Sequence, residues 1–220
     1  MKALVLLSGG LDSTTALYWA KQQGYELSIL SINYSWRPTQ EIAVAKYFAE
    51  ETGATLIEVE MSFIKDVSEF QDVKSSVEYF KNAPEGYIPS KNLVFYSIAA
   101  YYAEIYQVDV IIGGHSTSDA QLYPDASKTF FQSLTQLANS IRLPHNPRSV
   151  KIVMPLIDLS KEEIIRLAIN LDVPLERTWS CYDTNELPCR DCKGCRERSR
   201  AFMKLGLEDP LDSILHSKLV

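Results

Sequence analysis

The chain has 220 residues, of which 46% are hydrophobic and 23% charged, a composition that suits a folded globular protein and excludes a disordered or collagen-like one. Its length suits one compact domain with a small appendage. Asp and Glu number 28 against 22 Lys and Arg, so the net charge is −6; a surface that wraps nucleic acid is not expected, and a small-molecule substrate is favoured.

Apolar segments of the sequence are too short for a membrane span, which needs about 18 residues. The longest, residues 93–103, is interrupted by Ser97 and by tyrosines. The apolar run before Ser8 is also too short for a signal peptide. We therefore expect no membrane contact and a cytoplasmic location, where cysteines serve as metal ligands or catalytic thiols more often than as disulfides.

Strand and helix patterns alternate along most of the chain. Strands are predicted over residues 3–7, 27–33, 54–59, 108–112 and 150–154. Helices are predicted between the Gly9-Gly10 turn and Gly24, and over residues 39–52, 92–106, 128–139 and 161–171, the last opened by a capping box from Ser160 to Glu163. Residues 61–90 are predicted to form an irregular excursion, with room for one helix, that borders a pocket. The alternation predicts an α/β fold with a doubly wound, mostly parallel five-stranded sheet.

The turn after the first strand, Ser8-Gly9-Gly10-Leu11-Asp12-Ser13, has the chemistry of an anion site. Its glycines let backbone N–H groups approach a ligand closely, and the next helix directs its positive end toward the same point. The hydroxyls of Ser8 and Ser13 add donors, whereas Asp12, an acceptor when ionised, is better suited to orient the loop or to hold Mg²⁺. The alternative is an ordinary turn in which the glycines serve geometry alone.

This string resembles the PP-loop of the N-type ATP pyrophosphatases, which hold the pyrophosphate of ATP while AMP passes to a substrate oxygen. The resemblance implies a Rossmann-like fold of the adenine nucleotide alpha hydrolase type, with catalytic roles for Asp12, Ser13 and Lys161. A lysine directly after a helix cap is equally compatible with a solvated side chain. The implied ATP-binding residues are Ser8, Gly9, Gly10, Leu11, Asp12, Ser13 and Thr14.

Four cysteines lie close together near the carboxyl end of the chain: Cys181, Cys189, Cys192 and Cys195. Their short spacing lets thiolates turn toward one metal, and four thiolates close a tetrahedral shell, so a structural Zn²⁺ site is expected. An iron–sulfur cluster and reduced thiols are the alternatives. Because the composition changes after Pro174, we divide the chain into a PP-loop ATP-binding domain, residues 1–175, and a small zinc-binding helical segment packed on it, residues 176–220.

Together, the PP-loop and the cysteine tail resemble the 7-cyano-7-deazaguanine synthase family, which forms the nitrile of a queuosine precursor. Residues 87–93, 155–156 and 178–182 also fit that family. The resemblance implies an ATP-dependent ligase that converts 7-carboxy-7-deazaguanine and ammonia, through an adenylated acid and an amide, to the 7-cyano compound. It further implies a homodimer that uses ATP, a structural Zn²⁺ and Mg²⁺. The implied substrate-binding residues are Tyr34, Pro89, Asn92, Asp119, Tyr123 and Asp125.

Several positions expected to face the substrate depart from that family. Ser90-Lys91 stand where the family has Gly-Arg, and residues 115–126 differ at several places, including His115 and Ala126. Two alternatives stay open for this reason: a paralogue that adenylates a deazapurine acid but stops at the amide or joins it to another amine, and a PP-loop tRNA thiolase. His115 follows Gly113-Gly114 at a strand end, so it is either a proton carrier or a polar loop residue.

Overall fold

The computed structural model describes residues 1–35, 37–64, 77–84, 87–146, 148–183 and 187–212. Within these ranges, five parallel strands form one sheet in the order β3-β2-β1-β4-β5, which confirms the predicted doubly wound architecture. The strands are β1 (Lys2–Leu6), β2 (Glu26–Tyr34), β3 (Thr55–Met61), β4 (Val110–Ile112) and β5 (Lys151–Val153).

Helices cover both faces of this sheet. They are α1 (Leu11–Gln22), α2 (Thr39–Thr52), α3 (Glu78–Lys81), α4 (Lys91–Ile105), α5 (Thr117–Leu122), α6 (Lys128–Ser140), α7 (Lys161–Asn170) and α8 (Lys193–Leu205). The predicted capping box is present at the start of α7, where Ser160 and Glu163 bond reciprocally. None of the helices in the described ranges is long and apolar enough to cross a membrane.

Two segments differ from the expectations. The short helix α5 was not expected, because six residues are too few to show an apolar period. A serine at position 116 and an aspartate at position 119 form its capping box, which is the one local signal that pointed to it. Residues 61–90 were predicted to be irregular with at most one helix, and the structure has the short helix α3 there. Residues 65–76 and 85–86 of this segment lie outside the described part of the chain.

The core consists of two apolar layers separated by the sheet. Successive side chains of β1 point to opposite faces, so Ala3 and Val5 join one layer and Leu4 joins the other. Helices α1, α2, α7 and α8 supply the first layer, while α4 and α6 supply the second. Phe48 and Tyr96 are the largest fully buried side chains of the respective layers. Each layer buries apolar surface against the central strands β1 and β4, whose middle residues are fully buried, and this burial is the main stabilising contribution in such a fold.

The order of the strands creates a crevice beside β1. The chain builds β1, β2 and β3 in one direction and then crosses back to place β4 on the other side of β1. In open α/β sheets, ligands bind at the carboxyl ends of the strands where the order reverses. Ser8 follows β1 at this edge and Gly113-Gly114 follow β4, so the predicted anion turn lies at the switch point.

Candidate active site

A cavity of about 300 Å³ opens at the carboxyl ends of β1, β2 and β4. It is lined by residues of the anion turn, by α4 and the loop after β4, and by the segment that carries the cysteines. A cavity of this size and mixed polarity is typical of a small-molecule site. Among the residues that line it are Ser8, Gly10, Leu11, Asp12, Ser13, Tyr34, Asn92, His115, Asp119, Lys161, Trp179 and Ser180.

The turn between β1 and α1 is held by bonds within itself. The Ser8 and Ser13 hydroxyls lie 3.0 Å apart, the Gly10 N–H donates to Ser8 Oγ at 3.2 Å, and Ser13 Oγ donates to the Gly10 carbonyl. Gly9 has φ of 92°, and a Cβ there would lie 2.7 Å from the Glu41 carbonyl oxygen, so a side chain does not fit. Since the first N–H groups of α1 have no helical acceptor, the turn can receive an anion.

Asp12 and Lys161 form an ion pair beside this turn. Lys161 Nζ donates to Asp12 Oδ2. The Lys161 side chain is 23% exposed and the Asp12 side chain 18% exposed. Burial raises the pKa of Asp12, and the Lys161 ammonium opposes that rise. Burial alone would lower the pKa of Lys161, but the Asp12 carboxylate outweighs it, so the pKa is raised and Lys161 stays charged. The sequence left Lys161 open between a catalytic role and a solvated side chain; the structure has both residues line the cavity and bind each other.

Arg37 is a residue of this site to which the sequence assigned no role, although it lies in a segment that departs from the family pattern and was expected to face the substrate. Its guanidinium is buried and donates to the Ser8 carbonyl at 2.8 Å, to Ser31 Oγ at 2.9 Å, to Asn33 Oδ1 at 2.8 Å and to Glu41 Oε2 at 3.2 Å. These bonds tie the end of β1 to the end of β2 and to α2. With its donors engaged by protein oxygens, Arg37 positions the turn. A single arginine between a strand and a helix carries no periodic signal, so pattern analysis does not find it.

The predicted substrate-binding residues fall into two groups. Tyr34, Asn92 and Asp119 line the cavity, whereas the lining described by the structure does not include the other three, Pro89, Tyr123 and Asp125. Asp125 Oδ2 accepts the Asn92 N–H at 3.1 Å and so caps α4. The Tyr123 ring stacks on the Tyr87 ring at 6.2 Å between centroids. Two of the predicted ATP-binding residues, Gly9 and Thr14, are buried and do not line the cavity either.

Asp119 and His115 are the polar groups at the end of β4. Asp119 Oδ2 accepts from the Ser116 N–H at 2.9 Å and from Ser116 Oγ at 2.8 Å. Burial would raise the pKa of Asp119, but His115 and these two bonds outweigh it, so the pKa is lowered and the carboxylate stays charged. His115 lies against the rings of Tyr96 and Phe131, and burial lowers its pKa to about 4, so it is neutral at pH 7.

The sulfur atoms of Cys181, Cys189, Cys192 and Cys195 all lie within 4.8 Å of one another. Four sulfurs at the zinc–sulfur distance of about 2.3 Å in a tetrahedron lie about 3.8 Å apart, so the arrangement fits one metal ion. Backbone N–H groups donate to these sulfurs, among them Cys189 N to Cys181 Sγ at 3.2 Å and Cys192 N to Cys189 Sγ at 3.3 Å. Such bonds stabilise the thiolate form that binds a metal. The cluster is therefore a candidate metal centre.

The cysteine segment also forms one wall of the cavity. Trp179, two residues before Cys181, donates its backbone N–H to the Gly9 carbonyl at 2.9 Å and packs against Cys181 and Cys195. Gly194, at the start of α8, also lines the cavity, and a Cβ on it would lie 2.0 Å from the Ser180 carbonyl oxygen. The cysteine cluster and the turn between β1 and α1 are thus joined through a single short stretch of chain.

Comparisons with known proteins agree with these features. The family described as queuosine biosynthesis protein QueC matches residues 2–206. The 7-cyano-7-deazaguanine synthase of a Nitratiruptor species is 36% identical over 217 residues, 96% of this chain and 98% of that protein. The enzyme of the same name from Clostridium kluyveri is 37% identical over 224 residues, 96% of either protein. The structure of NMN synthetase from Francisella tularensis matches with a TM-score of 0.53 at 17% identity, over 94% of this chain and 78% of that one, which is a likeness of fold.

Proposed function

The chain belongs to the family of queuosine biosynthesis protein QueC, and we propose that it is an ATP-dependent synthase that converts 7-carboxy-7-deazaguanine and ammonia to 7-cyano-7-deazaguanine. One observation carries the proposal: a single cavity is lined both by the PP-loop, through Ser8 and residues 10–13, and by Tyr34, Asn92 and Asp119 on the side expected to face the substrate. We therefore expect the phosphates of ATP and the acid to bind beside each other in this cavity.

The first chemical problem is the carboxylate, which is a poor electrophile because its oxygen does not leave readily. Attack of a carboxylate oxygen on the α-phosphorus of ATP forms the acyl adenylate and expels pyrophosphate. The N–H groups at the start of α1 and the Lys161 ammonium stabilise the charge that develops on the departing pyrophosphate. Arg37 holds the Ser8 carbonyl and keeps the loop in place before ATP arrives.

Ammonia then attacks the acyl carbon and releases AMP, which leaves the amide after loss of a proton. A second ATP adenylates the amide oxygen, and loss of AMP together with the remaining N–H protons leaves the nitrile. No step needs a covalent enzyme intermediate, so positioning and electrostatic stabilisation are sufficient. The neutral imidazole of His115 lines the cavity and is the group we assign to accept protons released from nitrogen.

Two metals are part of the proposal. Among the described residues, Asp12 Oδ1 is a buried oxygen without a hydrogen-bond partner, which suits a site approached by ATP with Mg²⁺. Mg²⁺ would supply charge neutralisation to the phosphates. For the cysteine cluster we propose Zn²⁺, since four thiolates satisfy its tetrahedral preference and leave no position for substrate.

We also propose that two copies of the chain associate through the outer faces of α4 and α6. These helices cover the same face of the sheet. Four large hydrophobic side chains on them or at their ends are more than half exposed: Tyr101 (63%), Ile105 (53%), Leu137 (54%) and Ile141 (73%). Light scattering is expected to give the mass of two chains, and Ile141→Lys to give that of one. A wild-type protein that is monomeric at all concentrations would contradict the dimer.

The function is tested by incubating the protein with 7-carboxy-7-deazaguanine, ATP, Mg²⁺ and ammonium, followed by mass spectrometry. We expect the 7-cyano product with AMP and pyrophosphate, and a rate lower by about a hundredfold or more in Asp12→Asn. Asp158→Asn is the matched control, because Asp158 is an exposed partner of Lys128 outside the cavity. An amide as the final product would favour the alternative of a paralogue that stops at the amide. Salt-sensitive binding of tRNA would favour the alternative of a PP-loop tRNA thiolase.

A further inference from the structure

Both acidic and basic side chains line the cavity, and most of the basic ones form an ion pair with a carboxylate. The pairs are Arg37 with Glu41 at 3.2 Å, Arg198 with Asp209 at 2.6 Å, and Lys161 with Asp12. Among the described residues that line the cavity, Lys91 is the cation that forms no ion pair. An ammonium in a partly closed site without a counterion is the natural partner of an anion that enters with the substrate.

Lys91 is the first residue of α4, a helix of 15 residues whose positive end adds to the same field. The Lys91 side chain is half-buried, and its positive charge affects the pKa values of two other residues that line this cavity, Glu41 and His115. Burial raises the pKa of Glu41 and lowers the pKa of His115, and the positive charge of Lys91 acts to lower both pKa values. The charge of Lys91 thus acts on Glu41 in α2 and on His115 after β4, while Lys161 lies beside the PP-loop and pairs with Asp12.

The proposed conversion of 7-carboxy-7-deazaguanine to the nitrile changes the charge of the deazapurine. The acid enters as a carboxylate, whereas the amide and the nitrile are neutral. The phosphates of ATP already have the PP-loop, the start of α1 and Lys161, so the carboxylate is the anion still lacking a protein cation. A charged contact to the acid that the nitrile cannot make would favour binding of substrate over product.

We propose that Lys91 is the residue that selects the acid: its ammonium pairs with the substrate carboxylate and has no equivalent contact with the finished nitrile. This inference rests on the proposed function and adds to it a specificity-determining residue. A lysine at this position offers a point charge where the family's arginine offers a planar fork, so Lys91→Arg keeps the charge and changes only the geometry.

The test is a set of calorimetric titrations without ammonia, using 7-carboxy-7-deazaguanine, 7-cyano-7-deazaguanine and ATP as separate ligands. Wild type is compared with Lys91→Met, Lys91→Arg and the control Lys128→Met, whose lysine pairs with Asp158 away from the cavity. For Lys91→Met we expect the acid to bind about 10- to 100-fold more weakly and the nitrile and ATP to bind within about twofold of wild type. Lys91→Arg and Lys128→Met are expected to bind the acid within about threefold of wild type.

Three results would overturn the inference. Equal weakening of acid and nitrile in Lys91→Met would mean that Lys91 serves the shape of the pocket. Weaker ATP binding with unchanged acid binding would make it a phosphate ligand. A Lys91→Met protein that binds all three ligands like wild type would remove Lys91 from recognition. These results differ from failure of the proposed function, in which wild type binds ATP but neither deazapurine.

Discussion

Replacing His115 by asparagine should change how the stability of the protein depends on pH. Asparagine is polar and of similar size but does not titrate between pH 4 and 8. His115 is half-buried, and burial lowers its pKa from an ordinary value of 6.5 to about 4. The charged groups that act on it partly oppose one another: Asp119 and Asp125 favour its protonation, and Lys91 disfavours it.

The size of the effect follows from proton linkage. Between pH 6.5 and about 4, the unfolded chain binds a proton at His115 and the native protein does not. Stability from the neutral imidazole is therefore complete above about pH 6.5 and is lost as the pH falls toward the native pKa. For pKa values of 6.5 and about 4, the loss relative to pH 8 is about 2 kcal/mol at pH 5 and about 3 kcal/mol at pH 4.

Urea unfolding of wild type and His115→Asn, measured from pH 8 to pH 5, gives the comparison. Carboxyl groups that do not interact with His115, and the cysteine cluster, are expected to titrate alike in both proteins, so they cancel in the difference between the two unfolding free energies. Asp119, whose pKa His115 lowers, is the coupled exception, and His115→Asn measured in an Asp119→Asn background removes its contribution. We expect that difference to move by about 2 kcal/mol in favour of the variant on going from pH 8 to pH 5. A difference that stays constant over this range would show that His115 is not held neutral by burial.

Four further substitutions, one of them a control, test the PP-loop, the cysteine cluster and the glycine turn. Ser13→Ala removes a hydroxyl that bonds within the PP-loop, so turnover should be lost while circular dichroism shows an intact fold; full activity would contradict the assigned loop. Cys192→Ser should lower the melting temperature and the zinc content together, and a wild type that is brown or free of zinc would contradict the zinc assignment. Gly9→Ala and Gly24→Ala both place alanine at positive φ, but only the first meets backbone at 2.7 Å. Gly24→Ala should cost about 1 kcal/mol and keep ATP binding, whereas Gly9→Ala should lose it; equal behaviour would refute the packing argument.

The alternation of strands and helices was predictable because each element carries a strong local signal. The predicted bounds of α2, residues 39–52, agree with the structure, since an apolar face ends at Gly53, whose φ of 67° closes the helix. The parallel direction of the strands follows from their alternation with helices, whereas the order β3-β2-β1-β4-β5 comes from the structure. Local period and helix caps were therefore enough for the frame of the fold.

The details of the site were less accessible from the sequence. Arg37 binds groups on β1, β2 and α2, and such a set of contacts exists only after the sheet has formed. Asp125 accepts a backbone N–H at the start of α4, a contact between two segments 33 residues apart that the sequence does not reveal, and its predicted contact with substrate stays a prediction. Whether Pro89 and Tyr123 approach the substrate stays a prediction. The Asp12–Lys161 pair joins residues 149 apart in the chain, and no pattern predicts a contact at that distance.

The central claim is that the turn after β1 holds the outer phosphates of ATP while its α-phosphate faces an organic acid. A crystal soaked with a non-hydrolysable ATP analogue and 7-carboxy-7-deazaguanine tests it most directly. We expect the β- and γ-phosphates on the N–H groups of residues 8–13, beside Lys161, with the carboxylate close to the α-phosphorus. Triphosphate bound elsewhere, with that turn empty, would contradict it.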